Sequence, residues 1–303
     1  MPLPLAEFQH AGIRVLATSV GGEETFAILP EYNLAFDVGR APREIISVDH
    51  VFLTHGHMDH AAGMAYYLSQ RMFVDLAPGN LYLPEPLLEP VRQLLRLWGE
   101  IDGQVPPANL HVARPQQDIQ LRRDLIVRPF RVNHPARRHA PRPVDSLGYA
   151  AIEIRRKLKP EFADLSGPQL VELKKKGVEI TRRLEVPLVA YCGDTAPGAF
   201  LELDCVRKAR ILMLECTFVQ PDHLARARAG YHLHLSQLRE LLPRLENERI
   251  LLMHLSRRTL APEARKLLRQ ELGSEFGSRI MLLMDARRRR RNAGPPANEA
   301  ARQ

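Results

Sequence analysis

The chain has 303 residues, 45% of them hydrophobic and 26% charged, an ordinary globular balance that excludes wholesale disorder. Its apolar stretches fall short of the ~18 residues a membrane span needs, and MPLPLAEFQHAG lacks the basic and apolar regions of a signal peptide. The net charge is +8, but Arg287 to Gln303, with six arginines and one acid, carries +5, so the body is only mildly basic.

In chain order, residues 25–38 read as two strands around a Pro-Glu-Tyr-Asn turn. Val51 to Thr54 is a short apolar strand, and Pro86 to Trp98 has helical spacing. Strands follow at Leu125 to Val132, Leu147 to Ile154, Pro187 to Tyr191, Ile211 to Leu214 and Ile250 to Met253. Ser236 to Leu245, with Ser236 as N-cap, and Pro262 to Leu272 read as helices. This order predicts a layered α/β or α+β protein built around two sheets. Nothing marks an internal boundary, so one domain is expected over 1–285, with a disordered basic tail over 286–303. That tail suits either a nucleic-acid contact or a solubilising role.

The densest chemistry is Thr54-His-Gly-His-Met-Asp-His60, an HxHxDH run directly after a strand. Neutral imidazoles and a carboxylate converging from one loop suit zinc, with manganese or iron as alternatives. Three more ligand-type residues follow predicted strands: His134, Asp194 in Cys-Gly-Asp-Thr, and His254. Seven ligands are too many for one tetrahedral ion and suit two ions sharing a carboxylate. Glu215 ends an apolar strand, where a buried carboxylate needs a partner such as an imidazole. Cys192, Cys205 and Cys216 form no CxxC pair and no disulfide framework, as expected in a reducing cytoplasm. Cys192 and Cys216 read as small apolar interior residues.

These motifs resemble the metallo-β-lactamase fold and, within it, the ribonuclease Z family, particularly its short, plant-type branch. The resemblance runs from about Ser19 to about Glu271. It is carried by SVGGEETFAILPEYNLAFDVGR, THGHMDHAAGM, SLGYAAIEIRRKLKP, GVEITRRLEVPLVAYCGDT, LECTF, HLHLS and ILLMHLSRR. It implies an αββα sandwich, two sheets flanked by helices, working as a homodimer in the cytoplasm without a membrane partner. The implied activity is removal of the 3′ trailer from precursor tRNA by two-metal hydroxide attack on a phosphodiester, leaving a tRNA 3′-OH. His55, His57, His134 and Asp194 would hold one Zn2+, and Asp59, His60, His254 and the shared Asp194 the other. Asp59, Glu215 and His232 would be catalytic, with His234 competing for the role of His232. Ser256, Arg258 and His234 would contact substrate.

The long Gly/Pro-rich arm of many members is not evident. Residues 155–185 form a basic insert instead, with cations (Arg155, Arg156, Lys157, Lys159, Lys174 to Lys176, Arg182, Arg183) suited to an RNA backbone. Arg137, Arg138 and His139 would line the mouth of the site. Two other readings remain open at this level: a small-substrate hydrolase of the same fold (phosphodiesterase, lactonase or arylsulfatase-like) and a non-catalytic RNA-binding protein.

Overall fold

The computed structural model describes residues 3–135 and 145–289. Its first sheet comes from the N-terminal half: β1 (Leu5–His10), β2 (Ile13–Gly21), β3 (Glu24–Leu29), β4 (Leu34–Phe36), β5 (His50–Phe52), β6 (Gly79–Pro84) and β7 (Ala108–Ala113). β1 to β4 pair antiparallel, whereas β4 to β7 run parallel. The second sheet contains β8 (Ile119–Arg122), β9 (Leu125–Pro135), β10 (Asp145–Leu158), β11 (Thr181–Tyr191), β12 (Ile211–Glu215) and β13 (Arg249–Met253). β8 to β11 are antiparallel and β11 to β13 parallel. β14 (Leu255–Ser256) crosses to pair with β2, β15 (Ile280–Leu282) joins β13, and β16 (Arg287–Arg289) edges β1.

Alternation explains the layers. Leu147, Tyr149 and Ala151 of β10 enter the core between the sheets, while Ala150 and Ile152 turn to the outer layer. β12 and β13 are buried on both faces, which is why they read as unbroken apolar runs. Phe36 stacks on Tyr191 with centroids 5.0 Å apart, locking one sheet to the other. Full burial of each such side chain is worth about 1.5–3 kcal/mol.

The helices are α1 (Met58–Ala61), α2 (Met64–Phe73), α3 (Leu88–Asp102), α4 (Gly167–Lys175), α5 (Asp204–Arg207), α6 (Leu224–Gly230), α7 (Leu235–Leu241) and α8 (Ala261–Leu272). Tyr67, Leu68, Val91 and Leu95 of α2 and α3 cover the first sheet, and Leu238 and Leu268 of α7 and α8 cover the second. The result is the expected αββα sandwich. No helix among the described residues is long and apolar enough to cross a membrane.

Three details depart from the sequence reading. Residues 287–289 lie in β16 rather than in a tail starting at 286, because the backbone there finds β1 as a partner; residues beyond 289 lie outside the described residues, as do Arg137, Arg138 and His139. Helix α7 is capped by His234 rather than Ser236: the His234 ring accepts from Ser236 N at 3.1 Å. Residues 155–185 form a projecting arm. The β10–β11 ladder continues from Ile154↔Glu185 to Leu158↔Thr181 and ends in α4, which has a Ser166–Gln169 capping box and buries none of its residues.

Candidate metal centre

Five strands, one from the first sheet and four from the second, deliver the site at their C-terminal ends. β5 leads into His55, His57 and the start of α1; β9 ends in His134; β11 leads to Asp194; β12 ends in Glu215; β13 leads to His254. The turn before Asp194 requires glycine: Gly193 has φ +59, and a Cβ there would stand 2.9 Å from Thr54. His254 itself has φ +61, a strained conformation for a side-chain-bearing residue.

The seven anticipated residues converge. Asp59, His60, His254 form one set whose donor atoms all lie within 4.8 Å of one another, and His55, His57, His134, Asp194 form another. Asp194 stands between the sets. Its Oδ1 is 3.2 Å from His60 Nε2 and 3.2 Å from His254 Nε2, while Oδ2 is 3.7 Å from His55 Nε2 and 4.0 Å from His134 Nε2. His57 turns Nδ1 inward, 3.0 Å from His55 Nε2 and 3.4 Å from His134 Nε2. Asp59 Oδ2 lies 3.2 Å from His254 Nε2.

This donor set fits divalent metal. His60 Nε2 and Asp194 Oδ1 are buried without a hydrogen-bond partner, an arrangement costly unless an ion satisfies both. Burial holds the imidazoles of His55, His57 and His134 below their ordinary pKa, which favours the neutral, ligating form. Burial alone would raise Asp59; the facing His254 and His60 outweigh it and bring the carboxyl to about 2.

The outer nitrogens are fixed by residues that the sequence reading did not single out. His60 Nδ1 donates to Asp37 Oδ2 at 2.7 Å, and Asp37 also accepts from Thr54 N, Thr54 Oγ1 and the Tyr191 hydroxyl. With its proton committed to Asp37, Thr54 Oγ1 accepts from His55 Nδ1 at 2.8 Å. His134 Nδ1 donates to Tyr231 O, and His254 Nδ1 to Thr217 Oγ1 at 2.9 Å. Four imidazoles are thereby held in the tautomer that points Nε2 inward. The signal for Asp37 was an acid directly after the strand NLAF.

Glu215 is fully buried and accepts from five groups: Thr195 N, Thr217 N, Thr217 Oγ1, Leu233 N and, at 2.8 Å, His232 Nδ1. Burial disfavours the imidazolium of His232, but Glu215 overrides this and raises its pKa to about 9. The His232 ring stacks on His254 with centroids 5.4 Å apart. Of the two competing histidines, the structure brings His232 to Glu215. His234 is buried; its Nε2 donates to Gln220 O and its Nδ1 accepts from Ser236, so no ring nitrogen is left for substrate. The expected substrate contact at His234 gives way to a capping role. Ser256 is buried beside Thr217, to whose carbonyl it donates its amide. Arg258 is exposed, and its guanidinium has no partner among the described residues. Cys192 and Cys216 lie in the outer core, their thiols pushed up by burial, away from the metal donors.

The sandwich and this loop cluster define an αββα protein with a candidate metal centre. Residues 30–158 match the family model described as Beta-lactamase superfamily domain. Among solved structures, the metallo-β-lactamase fold protein YhfI of Bacillus subtilis has TM-score 0.55 and 13% identity over 93% of this chain and 97% of that one. Human tRNase Z, short form, has TM-score 0.52 and 16% identity over 93% and 92%. The chloroplastic tRNase Z of Arabidopsis thaliana is 33% identical over 90% of this chain and 75% of its own, and a second tRNase Z of that plant is 33% identical over 84% and 89%. The chain belongs to the ribonuclease Z (tRNase Z) family.

Proposed function

We propose that this protein is a metal-dependent endoribonuclease that removes the 3′ trailer from precursor tRNA. The observation that carries the reading is the kinship with named tRNases Z over 90% of the chain. His55, His57, His134 and Asp194 would hold one zinc ion, and Asp59, His60 and His254 with the shared Asp194 a second. Bound there, such ions supply a water of lowered pKa and positive charge against phosphate oxygens.

The chain's own residues do the rest. Attack in line on phosphorus breaks the P–O3′ bond, leaving the phosphate on the trailer. His232, protonated below its pKa of about 9, gives its Nε2 proton to the departing O3′, while Glu215 holds Nδ1 and stabilises the imidazolium. Asp59, ionised above about 2, accepts the proton of the attacking water. Arg258 and Ser256 bind the scissile phosphate. The arm carries nine Lys and Arg against five acids over 155–185. Lys157, Lys159, Lys174, Lys175 and Arg182 have no acidic partner among the described residues, so they are available to an RNA backbone. Such an arm supports an RNA substrate over a small one.

A homodimer is supported by an apolar strip on α3, where Leu94, Leu97, Trp98 and Ile101 are exposed beside Phe73 of α2. Three free, buried thiols suit a reducing compartment such as the cytoplasm. The test is incubation with a precursor tRNA carrying a 3′ trailer, with and without chelator. One chelator-sensitive cut at the acceptor end leaving a 3′-OH is expected. Failure on several precursors, with hydrolysis of a simple phosphodiester, would overturn the reading.

A further inference from the structure

A cavity of about 520 Å³ is lined by the end of β9, where Asn133 directly precedes His134. Its floor is apolar: Val132, Phe200 and Leu203. Phe200 is held rigid by stacking on Phe130, with centroids 5.9 Å apart and planes 13° from parallel. Its rim carries Gln116, Arg131 and Asn133. The lining is tied to the metal centre through the chain. Asn133 precedes His134, and the segment after Asp194 crosses to meet it: Asn133 N donates to Thr195 Oγ1, Ala196 N to Asn133 O, and Asn133 Nδ2 to Pro197 O.

We propose that this cavity receives one unpaired nucleobase of the RNA strand beside the scissile bond, the first nucleotide of the trailer. The proposal rests on the ribonuclease reading and adds a site that selects among its substrates. A nucleotide has the two chemistries the lining supplies. Its base faces are flat and apolar and match the floor. Its base edge carries donors and acceptors and matches the amides of Gln116 and Asn133. A base pair is too wide, so the strand must be splayed, as single-stranded RNA recognition generally requires. The backbone is shaped around the space. Gln116 sits at φ +63 with its amide tied to Pro129 O, and a Cβ at Gly198 would stand 3.1 Å from Phe200 and 3.3 Å from Asn133.

Ala199 is exposed on the cavity wall and touches none of the catalytic groups, so Ala199→Trp fills the space. The expected result is a KM for trailer-bearing precursor raised roughly tenfold, the scale of losing one stacked base. Hydrolysis of bis(p-nitrophenyl) phosphate is expected to stay unchanged. Gln116→Gly relieves the backbone while removing the amide, and is expected to alter the preference among A, C, G and U at the first trailer position. Wild-type KM in Ala199→Trp together with wild-type base preference in Gln116→Gly would overturn the proposal. If Ala199→Trp also loses the small diester, Gln116→Gly alone decides. If the wild-type protein cuts no precursor, the ribonuclease reading has failed, and binding of a fluorescent RNA hairpin with an unpaired 3′ tail decides the cavity. Equal affinity for wild type and Ala199→Trp then counts against it, and weaker binding by the variant supports it.

Discussion

His232 Nδ1 lies 2.8 Å from Glu215 Oε1, and that one contact separates two histidines that stand two residues apart in the chain. Glu215 is fully buried, accepts four further hydrogen bonds and, by its contact with His232, raises the imidazole's pKa to about 9. His232→Ala is expected to lower kcat on precursor tRNA about 10²–10⁴-fold, the range for removing a general acid. Metal content, read by elemental analysis, should not change. Because the protonated form acts, wild-type activity should fall as pH rises through about 9, and Glu215→Gln should move that fall to lower pH. An unmoved limb in Glu215→Gln would remove His232 as the proton donor. His234→Ala is the contrast. It should cost about 1 kcal/mol of stability, the scale of a lost helix cap, with kcat for the folded fraction close to wild type.

Asp37 accepts hydrogen bonds from His60, Thr54 and Tyr191 without itself facing the metal donors. Asp37→Asn puts an amide donor among groups that all donate, so His60 loses its partner and its orientation. We expect divalent-metal affinity to fall about 10–100-fold, measured by titration with a chromophoric chelator. The folding midpoint should also drop, since a buried donor is left unmade. Unchanged metal affinity would reduce Asp37 to a packing role.

How far the site was legible depended on how local each signal is. HxHxDH packs four ligand-type residues, three His and one Asp, into six positions, so no tertiary knowledge was needed to see it. His134, Asp194 and His254 were legible because each follows an apolar strand. Asp37, Thr54, Tyr191 and Thr217 were not, because each acts through a partner distant in the chain: Asp37 lies 17 residues from Thr54 and 154 from Tyr191, and Thr217 lies 37 from His254. The choice between His232 and His234 turned on where α7 begins, a boundary that sequence places only within a few residues. The arm was legible as charge but not as shape. Beyond Ile154 the β10 and β11 side chains face solvent on both sides, so no apolar alternation marks the strands.

Removing metal should cost stability as well as activity. Without ions, His60 Nε2 and Asp194 Oδ1 are buried and unpartnered, and ions binding only the folded state stabilise it by mass action. A chelator is expected to abolish cleavage and lower the thermal midpoint, and added zinc to restore both. Restoration of the midpoint without cleavage by calcium, which prefers more oxygen ligands, would show that charge alone accounts for the stability. A midpoint indifferent to chelator would show that the site contributes nothing to folding.

The arm makes the last prediction because it can be removed without touching the core. Helix α4 buries none of its residues, so replacing 159–180 by a short Gly-Ser turn should leave folding intact. The deletion takes out Lys159, Lys174 and Lys175, three cations without acidic partners among the described residues, together with Lys176, which pairs with Glu172. KM for precursor tRNA should rise, and the dependence of log affinity on log salt should flatten by about 0.7–0.9 per lost phosphate contact. Hydrolysis of bis(p-nitrophenyl) phosphate should be unaffected, since the metal donors and the Glu215–His232 pair lie outside the deleted segment. An unchanged salt slope with intact processing would mean that the arm's charges serve solubility, and that precursor tRNA is gripped elsewhere.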